Sequence, residues 1–240
     1  MLLALTLAAG SVDAISYLGL GHVFTAMMTG NTVLLGLALA EGEVLAALRS
    51  IVALLGFSIG VFVGAVIVEG DSKPPEWPAA VTSALTLESV ILGIFAATSY
   101  LFGTTGSGVI YLLIILLAFA MGIQSAAVRR LGVPGIATTY ITGTLTSLMV
   151  DLLGWLRSTA ARLPVIKPAE RGFVDTQLSM PWEQRVGLLA GVVSLYCLGA
   201  LAGGVLQVYS PPFASLLPLA AMMLVVVNAF VRHLRDRRAS

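Results

Sequence analysis

Asp13 is the residue around which chemistry can be argued first. It lies in the stretch Gly10 to Thr32, GSVDAISYLGLGHVFTAMMTGNT, with His22 and the step Thr29-Gly30-Asn31 in the same apolar run. An acid inside a membrane span costs about 2.5–3.5 kcal/mol on insertion scales and is usually kept for a proton, a cation or a solute path. The alternative is that Asp13, only a few residues from a turn, caps a helix or reaches water. His22 sits in the turn, where an imidazole can exchange protons with the outside or serve only as a polar surface group. Thr29 and Asn31 offer a hydroxyl and an amide, and Gly30 exposes backbone, which together can contact a small solute or bind between helices.

A near copy runs from Gly122 to Thr146, GIQSAAVRRLGVPGIATTYITGTLT, and carries Gln124, Ser125, Thr139, Thr142 and Gly143. With one turn near Leu20, Asp13 and Thr29 fall at similar depth, about 10–14 Å below the hairpin mouth. The same count places Gln124 and Ser125 opposite Thr138 to Thr142. Ser125 takes the place of Asp13, so the doubled site has a single acid. That asymmetry suits proton or cation coupling. Glu88, the charge within the fourth apolar segment, is a further candidate partner or a polar packing contact.

The elements that must hold these residues are membrane helices. Hydrophobic residues make up 58% of the 240-residue chain and charged residues 10%, against roughly 25% charged in soluble domains. Apolar segments span about 2–18, 23–40, 46–68, 79–102, 108–128, 134–156, 184–208 and 212–231. Most approach the ~20 residues that cross a bilayer as helix. No in-out alternation of barrel strands is visible. The expectation is an all-α polytopic bundle of eight segments, with six as the alternative because the first two are short. The first segment lacks a basic n-region and a small-residue cleavage site, so it is expected to be the first span.

Cys197 is the single cysteine, which excludes an intramolecular disulfide. The scattered His, Asp and Glu give no metal-ligand spacing, and no phosphate loop or nucleophile elbow occurs. No cofactor, metal, catalytic residue or enzymatic activity is therefore expected. A net charge of +1 supplies no basic face for nucleic acid.

With eight spans, ten basic residues fall on the side of the termini: Arg49, Arg157, Arg162, Lys167, Arg171, Arg185, Arg232, Arg235, Arg237 and Arg238. Lys73, Arg129 and Arg130 fall on the other side, so both termini are expected in the cytoplasm. Trp77, Trp155 and Trp182 flank spans as belt residues do. Gly56, Gly60 and Gly64, and later Gly187, Gly191, Gly199 and Gly203, form small-residue faces that let helices approach closely or join a second copy of the chain. Segments one to four then correspond to five to eight. Four spans per half would make residues 1–102 and 103–240 parallel repeats, the second with a polar connector over 157–183.

The motifs VDA-x-SYL-x-LG followed by MTGN, then G-x-Q and TTY-x-TGTLT, resemble the YoaK-like family of bacterial integral membrane proteins, a domain of unknown function. The resemblance covers nearly the whole chain and implies a multi-span protein of the bacterial inner membrane. It implies no substrate. Two positions depart from the pattern: Met27 replaces an Asn common before Met-Thr-Gly-Asn, and Ser125 an Asn common after Gly-x-Gln.

The reading is a secondary transporter or permease of a small solute or ion within the lipid bilayer. Its solute site comprises Asp13, Thr29, Gly30, Asn31, Gln124, Thr139, Thr142 and Gly143, with Asp13 and His22 in coupling. A structural or assembly subunit is the alternative, and a membrane-embedded enzyme a third.

Overall fold

The computed structural model describes residues 1–69, 77–103, 106–131, 141–159 and 182–239. In order, the helices are α1 Leu2–Gly19, α2 Met28–Glu41, α3 Val44–Val68, α4 Ala79–Phe102, α5 Ser107–Arg130, α6 Ile141–Thr159, α7 Trp182–Tyr209, α8 Pro211–Ala214 and α9 Leu216–Ala239. No strand occurs among the described residues. Glycine and proline end these helices: Gly42, left-handed at φ 76°, closes α2, and Pro78 precedes α4.

Among the described residues six helices are long and apolar enough to cross a membrane: α1, α3, α4, α5, α7 and the α8–α9 stretch. α2 has 14 residues, about 21 Å, short of a ~30 Å hydrocarbon core. α6 is apolar only over Ile141–Leu156. Of the two span counts expected, the smaller is the one the long helices match.

The directions of the helices follow from their contacts. α1 and α7 run parallel, with Leu7 against Gly199, Ser11 against Gly203 and Ala14 against Gly204. α3 and α5 also run parallel, through Gly56 with Ile115, Gly60 with Phe119 and Gly64 with Ile123. The start of α1 and the start of α4 lie at the same end, because Arg232 acts on the Met1 amino group and His233 meets Thr82. Burial and then Arg232 hold that amino group below its ordinary pKa. α4 turns into α5 within a few residues, so α5 opposes α1. Accordingly Gln124, late in α5, donates to the carbonyl of Leu5, early in α1.

Thus α1, α4 and α7 run one way and α3, α5 and α9 the other. This departs from the expected parallel relation between halves. The reason is that α2 does not make a separate crossing back along α1: Arg49 Nη1, early in α3, reaches the carbonyl of Gly21 just after α1. Three long spans, α1, α3 and α4, therefore precede α5 among the described residues, and that odd number makes α5 run opposite to α1. A further consequence is that Arg129 and Arg130 stand at the end that holds both termini, whereas Arg49 stands at the other. The sequence count had these three on the opposite sides.

The core lies where α1 meets α7 and α9, and where α5 meets α3 and α4. Leu5, Val12, Leu85, Phe95, Leu117 and Met121 are buried there. Large apolar residues such as Leu55, Phe62, Leu201 and Leu224 are exposed, as side chains facing lipid would be. Gly56, Gly60 and Gly64 of α3 and Gly199 and Gly203 of α7 are taken up inside the chain, against α5 and α1, while Gly187 faces nothing within 4 Å. Trp77, expected in an interfacial belt, is instead buried and donates to Thr82 Oγ1 at 3.1 Å.

Candidate functional site

Between α1 and α2 the chain leaves helical geometry for Leu20 to Met27. α1 closes through Gly21 and His22, both with positive φ (84° and 61°), and the His22 N–H bonds the carbonyl of Tyr17 at 3.0 Å. That is a left-handed helix stop, easy for glycine and uncommon for histidine. The chain then doubles back along α1 until Thr25 to Met27 reach the height of Asp13, about 9 Å before the end of the helix.

Asp13 is buried, and every partner donates to it. Oδ1 accepts backbone N–H bonds from Thr25 at 3.0 Å, Ala26 at 2.7 Å and Met27 at 3.3 Å. Oδ2 accepts the hydroxyl of Tyr196, from α7, at 2.5 Å. These N–H groups immediately precede α2, where four donors of a helix start otherwise lack partners and the helix dipole favours a negative group. Asn31 completes the clamp one turn into α2. Its Oδ1 accepts from the Phe24 N–H at 2.9 Å, and its Nδ2 donates to the Phe24 carbonyl at 2.5 Å. Phe24 stacks on Tyr17 at 4.9 Å, and Tyr17 meets His22 edge-on at 5.0 Å. A side chain at Gly30 would stand 2.9 Å from the Phe24 ring, which explains the glycine of Thr-Gly-Asn.

Of the residues expected to form the solute site, Asp13, Gly30 and Asn31 come together around this loop. Thr29 lies beside them but is exposed, and His22 is exposed at the mouth. Gln124 is buried elsewhere: its contact with Leu5 lies eight residues from Asp13, about 12 Å along α1. Thr142 and Gly143 begin α6, which packs on α7, and Thr139 lies outside the described residues. One composite site from both halves is not assembled in this conformation.

Two functional candidates were passed over or underweighted by the sequence. Tyr196 holds Asp13, and its signal was available: it precedes Gly199 by one turn, so a hydroxyl faces the helix that the glycine face meets. Glu88 is fully buried in α4, and no hydrogen-bond donor among the described residues meets either carboxyl oxygen. Among the described residues no three His, Cys, Asp or Glu side chains gather as a metal site.

The family described as Protein of unknown function (DUF1275) matches residues 1–229. The chain is also 42% identical over 202 residues to the UPF0700 transmembrane protein YoaK of Bacillus subtilis (strain 168), an alignment that covers 84% of this chain and 80% of that protein. No solved structure matches. A match this long makes the chain a transmembrane member of the DUF1275 family.

Proposed function

We propose that this protein is a secondary transporter of a small polar solute or ion, built from two inverted three-span halves, and that it is not an enzyme. The observation that carries the reading is the helix start at Met28. It lies within the depth of the spans, at the end of non-helical backbone, pinned by a buried carboxylate. Irregular backbone at membrane depth is tolerated where protein or water covers it, and such broken helices frame solute and ion sites in transporters.

The packing supports the inverted relation. Gly60 on Phe119 and Gly64 on Ile123 are matched by Gly199 on Leu7 and Gly203 on Ser11. In the other direction Gly122 meets Phe57 and Val61, while Gly10 meets Tyr196 and Ala200. One rotation in the membrane plane relates the two sets, with each half lending one helix to the other. Under this rotation Ser125 and Phe57 stand where Asp13 and Tyr196 stand, so the acid–hydroxyl bond exists at the α1–α7 contact and has no counterpart at the α5–α3 contact. Asp13 then serves as the latch of the loop from Leu20 to Met27, and the solute meets Thr29, Gly30 and Asn31 when that latch opens. Residues 1–102 and 103–240 are the two halves.

Basic residues gather at the end with the termini: Arg129, Arg130, Arg185 and the arginines that finish α9. By the retention of positive charge this end is cytoplasmic, in a bacterial inner membrane.

The test is thermal stabilisation of the purified protein against metabolites and ions, beside Asp13→Asn, followed by flux in vesicles for each hit. A ligand that stabilises the parent, loses its effect in Asp13→Asn and crosses the vesicle membrane supports the reading. Ligand-independent stability with no flux of any compound across the panel would count against it.

A further inference from the structure

We propose that Glu88 is the proton-binding site of this protein: its carboxyl takes up one proton from solvent at the end with the termini and returns it on the other side. This rests on the transporter reading and adds the coupling ion to it. The clamp leaves Asp13 poorly suited to the task, since four donors already fill its two oxygens, and a proton added there would face one of them.

Glu88 is the opposite case. It is fully buried at the tenth position of the 24-residue α4, near mid-membrane, on the side that carries Leu85, Ile91 and Leu92 and packs against α5 and α9. Its own helix offers it nothing: the hydroxyls of Thr86 and Ser89 bond the carbonyls of Thr82 and Leu85. No charge from the packed helices compensates it. On α5 the titratable groups are Tyr111 near the start and Arg129 and Arg130 at the end. On α3 there is Arg49, two turns from its start. On α9, Arg232, His233, Arg235, Asp236, Arg237 and Arg238 all lie in the last turns, and α8 has none. Asn228 of α9 is exposed and donates to the Leu224 carbonyl.

An unpaired buried carboxylate costs far more than the same carboxyl holding a proton. A metal ion is the poorer occupant, because such ions need several oxygen ligands and among the described residues no three acidic, His or Cys side chains gather. The proton has an approach from the terminal end. Thr82, about 9 Å nearer that end along α4, meets His233 Nε2 at 3.1 Å and Trp77 Nε1 at 3.1 Å. The transfer is a plain proton exchange: hydronium or His233 gives up the proton, an Oε–H bond forms on Glu88, and the same bond breaks when the carboxyl next meets water.

Infrared difference spectroscopy on the full-length protein in lipid vesicles, between acid and alkaline buffer, reads the proton directly. The expected result is a carbonyl band of a protonated carboxylic acid that grows on acidification, is lost in Glu88→Gln and persists in Asp13→Asn. Superimposable difference spectra for the parent and Glu88→Gln would overturn the proposal. If Glu88→Gln fails to fold, Glu88→Asp replaces it: a shifted band supports the assignment, and an unshifted band overturns it. The two readings separate cleanly. A titrating Glu88 in a protein that moves no solute upholds the proton site and removes the transporter. Solute flux with unchanged pH dependence in Glu88→Gln upholds the transporter and removes the coupling role.

Discussion

Asp13 and Asn31 were conspicuous as polar residues in an apolar run, and the structure gives each a set of partners that explains why it is there. Asp13 gathers the loop N–H groups of Thr25, Ala26 and Met27 and ties them to α7 through Tyr196. Hydrogen bonds to a charged group contribute about 1.5–3 kcal/mol. Tyr196→Phe is therefore expected to destabilise the protein by about 1–3 kcal/mol, and Asp13→Asn by a similar amount, measured by unfolding in detergent. The double variant should cost less than the sum of the two, since the same bond is removed twice. Full additivity would mean that the two side chains do not act on each other. Asn31→Leu removes both bonds to Phe24, and the expected result is faster amide exchange over residues 20–27 with the exchange of α5 unchanged.

At the scale of the helix, glycines divide by what lies against them. Gly60 and Gly199 each face a carbonyl of the neighbouring helix at a distance that leaves no room for a side chain, whereas Gly36 and Gly93 face nothing within 4 Å. Gly60→Leu and Gly199→Leu should each cost about 1–3 kcal/mol or more through overpacking. Gly36→Ala and Gly93→Ala should be neutral or stabilising by up to about 1 kcal/mol, since alanine is the better helix former. Melting curves of the four variants check this, and equal losses in all four would contradict the packing described. On the other short helix, buried Asp151 and partly exposed Arg185 pair at 3.0 Å and fasten α6 to α7. Arg185→Met leaves a buried carboxylate without its partner and should lower the melting temperature more than removing both partners together.

For the whole molecule the decisive expectation is topological. Inverted halves put the end of α1 and the end of α5 on opposite faces of the membrane, whereas parallel halves would put them on one. In a Cys197→Ser background, His22→Cys and Leu131→Cys should react with an impermeant thiol reagent from opposite sides of sealed vesicles, Leu131→Cys from the side of the termini. Labelling of both from the same side would restore the parallel arrangement. The asymmetry of the pair also belongs to this scale: Asp13 and Tyr196 meet where α1 packs on α7, whereas the matching positions of α5 and α3 are Ser125 and Phe57, so the two sites cannot be equivalent.

Several features were legible without coordinates because they depend on neighbours in the chain. Apolar runs near bilayer length, interrupted by glycine and proline, determined an all-helical membrane protein and most helix ends, since backbone polar groups in lipid must be satisfied within each segment. The same local logic singled out Asp13, Gly30 and Asn31. What only the tertiary structure decided rests on distant parts of the chain. Whether the short α2 crosses or folds back sets the parity of the spans, and that parity alone determines whether α5 runs with α1 or against it. Composition cannot read it, because α2 is equally apolar in either case. Likewise Asp13 and Glu88 look alike as acids in apolar helices. One is met by four donors because a loop and α7 fold onto it, and the other by none among the described residues.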